Sequence, residues 1–357
     1  MNPQFWHGRR VFLTGHTGFK GSWLALWLQQ LGAQVTGYAL PSESESSLYK
    51  QARVGQNMHS ITADVRDLPA LKQALQAAQP DIVIHMAAQA LVRKAYTDPV
   101  STYSTNVIGT VHLLEAARTC SQLRAVVNIT TDKCYENREW LWPYRENDQL
   151  GGHDPYSSSK ACAELVTQAY CRSFSELGSH GSIAVATARA GNVIGGGDTS
   201  ADRLIPDAIH AWRAQQPLQI RAPHAIRPWQ FVLDPLYGYL TLAQRLYEQG
   251  HAFSGAWNFG PDSQDALPVH AIVERMAGLW GPQASWNLQE GEHPHEAMTL
   301  KLDCHKAHTQ LGWRSAMPLD MALEKTVQWY RAWLDGRDLN TLSREQIGQF
   351  QARILQP

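Results

Sequence analysis

The sequence predicts an α/β fold: a doubly wound parallel sheet followed by a smaller C-terminal lobe. Two observations predict it. Short apolar runs alternate with segments of helical period through the first half of the chain, and after Arg189 glycines, prolines and tryptophans break that alternation into shorter elements. The apolar runs are residues 11–14, 34–40, 81–86, 125–130 and 183–188. Between them, residues 22–31, 68–77, 107–118 and 158–174 carry apolar side chains at three- and four-residue spacing. Strand–helix alternation of this kind builds a parallel sheet covered on both faces. Residues 1–188 are therefore assigned to the sheet domain, with 229–257 returning to it because 230–233 are apolar enough for another strand. Residues 189–228 and 258–357 form the lobe. Within the lobe, 319–334 has helical spacing, and Trp329 and Trp333, one turn apart, are read as packing.

Composition narrows the function classes. Of the 357 residues 44% are hydrophobic and 18% charged, and the formal net charge is −1, so nothing suggests nucleic acid or an anionic membrane as partner. The five cysteines are odd in number and none forms a C-x-x-C pair, so neither a disulfide framework nor a metal site is expected. The first ten residues lack the apolar run of a signal peptide and no stretch is apolar enough to span a bilayer. The cytoplasm is the expected address.

The run 11–14 leads into Gly15-His16-Thr17-Gly18-Phe19-Lys20-Gly21. Glycines at 15, 18 and 21 permit a tight turn, a close backbone approach and helix–strand packing. The N–H groups at the start of the following helix then suit a pyrophosphate. This is the mark of a Rossmann-type dinucleotide site, at the carboxyl ends of the strands. An acidic residue that would bond an adenosine ribose is missing: the second strand ends Gly37-Tyr38-Ala39-Leu40, and the next carboxylate is Glu43. With no arginine for a 2′-phosphate, NAD is expected over NADP, with modest affinity. Asp64-Val65 is read as an adenine-edge contact, or as a turn.

Tyr156 and Lys160 lie four residues apart, on one face of a helix that starts after Pro155. A phenol with an ordinary pKa of about 10 is a poor base at neutral pH. A neighbouring ammonium and a positive nicotinamide ring would both favour phenolate.

The glycine turn, His85-Met86-Ala87-Ala88-Gln89 after a strand, Asn106-Val107-Ile108-Gly109-Thr110 on a helix and Tyr156-Ser157-Ser158-Ser159-Lys160 together resemble the extended short-chain dehydrogenase/reductases over nearly the whole chain. The resemblance implies that Ala87, Ala88, Gln89 and Asn106 line the NAD site, with Gln89 also at the substrate. It implies that Tyr156 removes a hydroxyl proton as hydride passes from a sugar carbon to NAD, and that Lys160 holds the nicotinamide ribose. Thr131-Asp132-Lys133-Cys134-Tyr135 ends the run 125–130, where Thr131 would bond the reacting hydroxyl. Asp132 and Lys133 stand where the nucleotide-sugar 4,6-dehydratases carry an acid and a base, although the common pair is Asp-Glu. Asp-Lys-Cys-Tyr is similar to the branch that takes CDP-glucose.

For that chemistry Asp132 must be protonated and Lys133 neutral. Adjacent opposite charges work against both shifts, so Lys133 is the C5 base or an electrostatic support. Arg189-Ala190-Gly191-Asn192, with Gly196 in place of a proline, resembles the family's substrate segment, and Asn192, Arg203, Leu204 and Arg227 are expected at the nucleotide sugar. The implied product class is a 4-keto-6-deoxy sugar nucleotide that feeds deoxysugar and O-antigen biosynthesis. The implied assembly is a homodimer or dimer of dimers, paired through the helices after Asp98 and Pro155. Two rivals stay open: a dehydratase or epimerase of a dTDP-, UDP- or GDP-sugar, and a binding protein that senses NAD without chemistry.

Overall fold

The computed structural model describes residues 1–174, 183–262, 265–289 and 298–355. Seven strands form one wholly parallel sheet: β1 (Arg10–Thr14), β2 (Gln34–Ala39), β3 (His59–Thr62), β4 (Ile82–His85), β5 (Ala125–Ile129), β6 (Ala184–Ala190) and β7 (Gly255–Phe259). Their order is β7-β6-β5-β4-β1-β2-β3, so the winding reverses at β1. Residues beyond Thr14 and His85, which pair in register, thus open into the crevice where such sheets bind ligands. β4, β5 and β6 are buried along their whole length, which is why they read as continuous apolar runs rather than as alternation.

Helices cover both faces. α1 (Phe19–Gln30) is buried from Gly21 to Leu28 because the C-terminal helix, α7 (Leu339–Ile354), closes over it, with Trp27 edge-on to Phe350 at 5.6 Å. The other face carries α2 (Leu68–Ala78), α3 (Gly109–Ala117) and α4 (Pro155–Phe174). α5 (Leu233–Gln249) packs against β5 and β6 on the α1 side. α6 (Leu319–Leu334) has the bounds that its spacing predicts. Trp329 is buried and donates to Ser343 Oγ, while the Arg213 guanidinium lies over Trp333 at 5.1 Å, so both rings pack the lobe.

Three departures from the sequence reading have physical causes. Residues 230–233 do not join the large sheet. Gln230–Phe231 pairs only with Val193–Ile194, and Leu233 already opens α5; the strand that returns is β7. β3 is not among the predicted runs because it is an edge strand whose side chains are mostly exposed. The helix expected over 107–118 begins with a π-turn, Ser104–Ile108, before α3. Such turns often mark functional positions.

Candidate active site

The glycine turn has the shape its sequence predicts. Gly15 has φ +73°, and a Cβ there would lie 2.7 Å from the Ala87 nitrogen; a Cβ on Gly21 would lie 2.1 Å from the Gly15 oxygen. Gly18 caps α1 without a side chain, which leaves the first N–H groups of a long helix facing the crevice. Thr14 Oγ1 lies 2.7 Å from His85 Nδ1 and accepts from the Met86 and Ala87 N–H groups, tying the turn to the loop after β4. Ala87 and Ala88 line that loop, both half-buried.

Several predicted cofactor residues hold the turn instead of presenting a side chain to it. His16 points away: its Nε2 meets Ser60 Oγ at 2.7 Å and its ring fills the space beside Gly37, where burial holds its pKa down at about 4. Thr17 donates to the Leu40 carbonyl, and Phe19 faces Gly195. Asp64 is held by Arg66 at 2.6 Å, which keeps its carboxyl below the usual range, and Val65 is core. Tyr38 is buried, its hydroxyl donating to the Asp64 carbonyl. Asn106, buried in the π-turn, accepts from the Gln89 N–H at 2.8 Å and donates to the Gln89 carbonyl and to Ser159 Oγ. The Gln89 side chain is bound to Leu91 in its own loop and to Thr102 on the helix Pro99–Tyr103.

At the end of β5 the chain turns through a single 3₁₀ turn, Asp132–Cys134, capped by Thr131. Thr131 Oγ1 donates to Asp132 Oδ1 at 3.0 Å, while Asp132 Oδ2 is buried with no partner. Burial raises the Asp132 pKa; Lys133, the Thr131 hydroxyl and Arg227 pull against it. Lys133 itself is half-buried.

Tyr156 and Lys160 point inward from α4 and both are buried. The expected lowering of the phenol's pKa is absent in this state. Burial pushes it up to about 12, with the Thr131 hydroxyl and Arg203 opposing. The Lys160 ammonium donates to the Ile129 carbonyl at 3.1 Å, and burial brings its pKa down to about 8. Lys20 reaches from α1 to the Tyr239 hydroxyl at 2.8 Å; burial, then repulsion by Lys160 and Arg203, lowers it to about 7.

The predicted substrate residues border this cluster. Arg203 pairs with Asp198 at 3.0 Å at the start of the helix that Leu204 opens, and its charge reaches Tyr156. Arg227 bears on Asp132. The Asn192 carbonyl accepts from the Gln230 N–H, and its side chain is half-buried. A Cβ on Gly191 would lie 2.8 Å from Asp132 Oδ2, and one on Gly196 would strike the Trp329 ring at 2.0 Å, which explains glycine where a proline was expected.

Sequence reasoning missed Tyr239, Asp198 and the buried pair Glu164–Arg189 beneath Thr131. Glu164 had a signal: it lies four residues beyond Lys160, on the same helical face.

The family model described as GDP-mannose 4,6 dehydratase matches residues 12–257. The chain is 52% identical to the CDP-glucose 4,6-dehydratase of Salmonella typhimurium over 98% of both chains. It is 25% identical to the dTDP-glucose 4,6-dehydratase of Haemophilus influenzae, over 90% of this chain and 97% of that one. Among solved structures, a UDP-glucose-4-epimerase from Stenotrophomonas maltophila superposes with TM-score 0.80 at 21% identity, covering 92% of this chain and 99% of that one. A dTDP-glucose 4,6-dehydratase from Bacillus anthracis in complex with NAD superposes with TM-score 0.75 at 20% identity, over 92% and 99%. The chain belongs to the GDP-mannose 4,6 dehydratase family, the nucleotide-sugar dehydratase branch of the extended short-chain dehydrogenase/reductases.

Proposed function

We propose that this chain converts CDP-D-glucose to CDP-4-keto-6-deoxy-D-glucose with NAD as a recycled cofactor. The observation that carries the reading is the 52% identity, end to end, with a CDP-glucose 4,6-dehydratase. The glycine cradle fits the dinucleotide: no side chain can stand at Gly15 or Gly21, and the uncapped N-terminus of α1 suits the pyrophosphate. NAD, when bound, supplies the hydride acceptor for C4 and the hydride that returns to C6.

The protein's own groups manage the protons. Tyr156 takes the C4 hydroxyl proton while Thr131 orients that hydroxyl, and Lys160 holds positive charge beside the phenolate. Tyr156, whose pKa burial raises and the Thr131 hydroxyl and Arg203 lower, would gain further stabilisation of its phenolate from the positive charge that bound NAD would bring. The C4 ketone acidifies C5–H, Lys133 accepts that proton, Asp132 gives its proton to the departing C6 hydroxyl so that water leaves, and Lys133 returns a proton to C5 when C6 is reduced. Arg203, Arg227 and Asn192 hold the sugar nucleotide's phosphates. The product class feeds deoxysugar assembly of the O-antigen kind, in the cytoplasm; among the described residues no helix is long and apolar enough to cross a membrane.

Tyr96, Val100, Tyr103, Ile108 and Leu165 are exposed on the segments after Leu91 and on α4, and this apolar surface supports a homodimer that would bury it against a second copy. Light scattering at micromolar concentration tests that. Incubation with CDP-glucose and substoichiometric NAD tests the activity: a 4-keto-6-deoxy sugar should form in excess of the NAD supplied, and a yield limited to the NAD supplied contradicts it.

A further inference from the structure

We propose that Glu164 is a positioning residue: paired with Arg189, it clamps both ends of the Thr131–Lys133 segment to α4 and places a negative charge under Lys160. The proposal rests on the reading of Tyr156, Lys160 and Asp132 as the reacting groups. Tyr156, Lys160 and Glu164 occupy positions i, i+4 and i+8 of α4, so one helical face presents phenol, ammonium and carboxylate in sequence.

Glu164 and Arg189 are both fully buried. Arg189 donates from Nε to Glu164 Oε1 at 2.9 Å and from Nη2 to Oε2 at 2.8 Å, a bidentate pair between α4 and β6. The carboxylate also accepts the Thr130 hydroxyl on Oε1 and the Thr187 hydroxyl on Oε2. Arg189 Nη1 donates to the Tyr135 hydroxyl at 2.7 Å and to the Glu146 carbonyl at 3.1 Å, and Tyr135 donates on to Asn258 Oδ1. Thr130 is the residue before Thr131, and Tyr135 ends the 3₁₀ turn that holds Asp132 and Lys133. One ion pair therefore fastens the segment at each end, and from the helix that carries Tyr156.

The charge has a second effect. Burial opposes ionisation of Glu164, but Arg189 and the hydroxyls of Thr130 and Thr187 hold its carboxyl below the ordinary range. It stays anionic and draws the Lys160 ammonium up against the desolvation that brings it down to about 8. Among the described residues, the other titratable groups around Lys160 are Tyr156 one turn back on α4, Cys134 in the 3₁₀ turn, Lys20 on α1 and His85 at the end of β4; burial and Lys160 keep His85 near 3, hence neutral. Apart from the reacting phenol, Glu164 is the anion that bears most on Lys160. A buried pair of this kind contributes little net stability compared with an apolar replacement, so geometry and charge at the site are the better account of it.

Kinetics and backbone exchange test the proposal in the full-length protein. In Glu164→Gln the neutral amide leaves Lys160 to lose its proton at lower pH. The alkaline limb of the kcat profile should move down by about one unit or more, and kcat should fall at least about tenfold with KM for CDP-glucose nearly unchanged. Glu164→Asp keeps the charge but shortens the reach, so the limb should stay while kcat falls. Thr130→Val and Tyr135→Phe each remove one tie without touching the ion pair. They should speed hydrogen–deuterium exchange within residues 130–136, lower kcat and leave the limb in place.

An unmoved limb in Glu164→Gln, or unchanged exchange in both single-tie variants, overturns the proposal. Should Glu164→Gln fail to fold, Glu164→Asp and the two single-tie variants decide it. If the wild type turns over no nucleotide sugar, the functional reading fails instead, and the exchange measurement, which needs no substrate, still decides the clamp.

Discussion

The Thr131 hydroxyl donates to one oxygen of Asp132, Oδ1, at 3.0 Å, and leaves the other, Oδ2, buried and unpartnered. Burial raises the pKa of that carboxyl above that of an exposed aspartate, against the pull of Lys133, the Thr131 hydroxyl and Arg227. Gly191 keeps the space before Oδ2 clear, since a Cβ there would approach to 2.8 Å. An acid with one oxygen fixed and one open is the arrangement that protonation of a leaving hydroxyl needs.

Replacing Tyr156 by Phe removes only the phenol, and the ring stays in its buried place on α4. Turnover should fall by more than tenfold, at least about 1.4 kcal/mol of barrier, with an unchanged circular dichroism spectrum. A folded Tyr156→Phe enzyme that keeps more than a tenth of the rate rules Tyr156 out as the base.

Asp132 and Lys133 separate in their effect on C5. Asp132→Asn should still oxidise C4 and exchange the C5 proton with deuterated solvent, yet release no water. Lys133→Met should oxidise C4 and exchange little. The double variant should be scarcely worse than the slower single one, because the two act as a unit. Normal C5 exchange in Lys133→Met assigns the base to another group and leaves Lys133 as an electrostatic partner of Asp132, whose pKa its charge lowers.

Strand and helix positions were legible because β1, β4, β5 and β6 are buried runs with helical periods between them. The glycine turn was legible because two of its three glycines, Gly15 and Gly21, admit no side chain. Side-chain direction was not. His16, Asp64 and Gln89 lie in the right segments, but each side chain is committed to a local partner that no spacing rule reveals: Ser60, Arg66, and Leu91 with Thr102. The burial that raises the Tyr156 pKa is invisible in a Y-x-x-x-K motif. The pair Glu164–Arg189 was hidden because its members are 25 residues apart and meet only once α4 lies against β6.

The missing ribose carboxylate is best restored at Leu40. Tyr38 and Ala39, the last residues of β2, are buried, whereas Leu40 is 54% exposed just beyond the strand. Leu40→Asp should tighten NAD binding by about three- to tenfold, the worth of one hydrogen bond, in a calorimetric titration. No gain would show that another group already satisfies the ribose.

Acid should unfold the protein through its buried histidines. Burial depresses His16 to about 4 and His85 to about 3, against an ordinary value of 6.5. Both folded values lie below the unfolded one, so the unfolded chain binds more protons. Their contribution is full above pH 6.5 and is lost as pH falls through that value toward 3–4. Buried Asp234, raised to about 7, contributes in the opposite sense over the same window, so the histidine is read by difference. Between pH 6.5 and 4 the unfolding free energy of His16→Gln should fall less steeply than the wild type's, by up to about 1.4 kcal/mol per pH unit, and an equal slope contradicts the assignment.

The most direct test of a dehydratase is the mass of the product made from CDP-glucose in deuterated water. Loss of water across C5–C6, with solvent replacing the C5 proton, gives a sugar nucleotide lighter by one water and carrying one deuterium at C5, with NAD unchanged at the end. The account predicts that product, and predicts it faster from CDP-glucose than from dTDP-, UDP- or GDP-glucose. A product of unchanged mass and inverted C4 would make the protein an epimerase, and no product from any of the four would contradict the account.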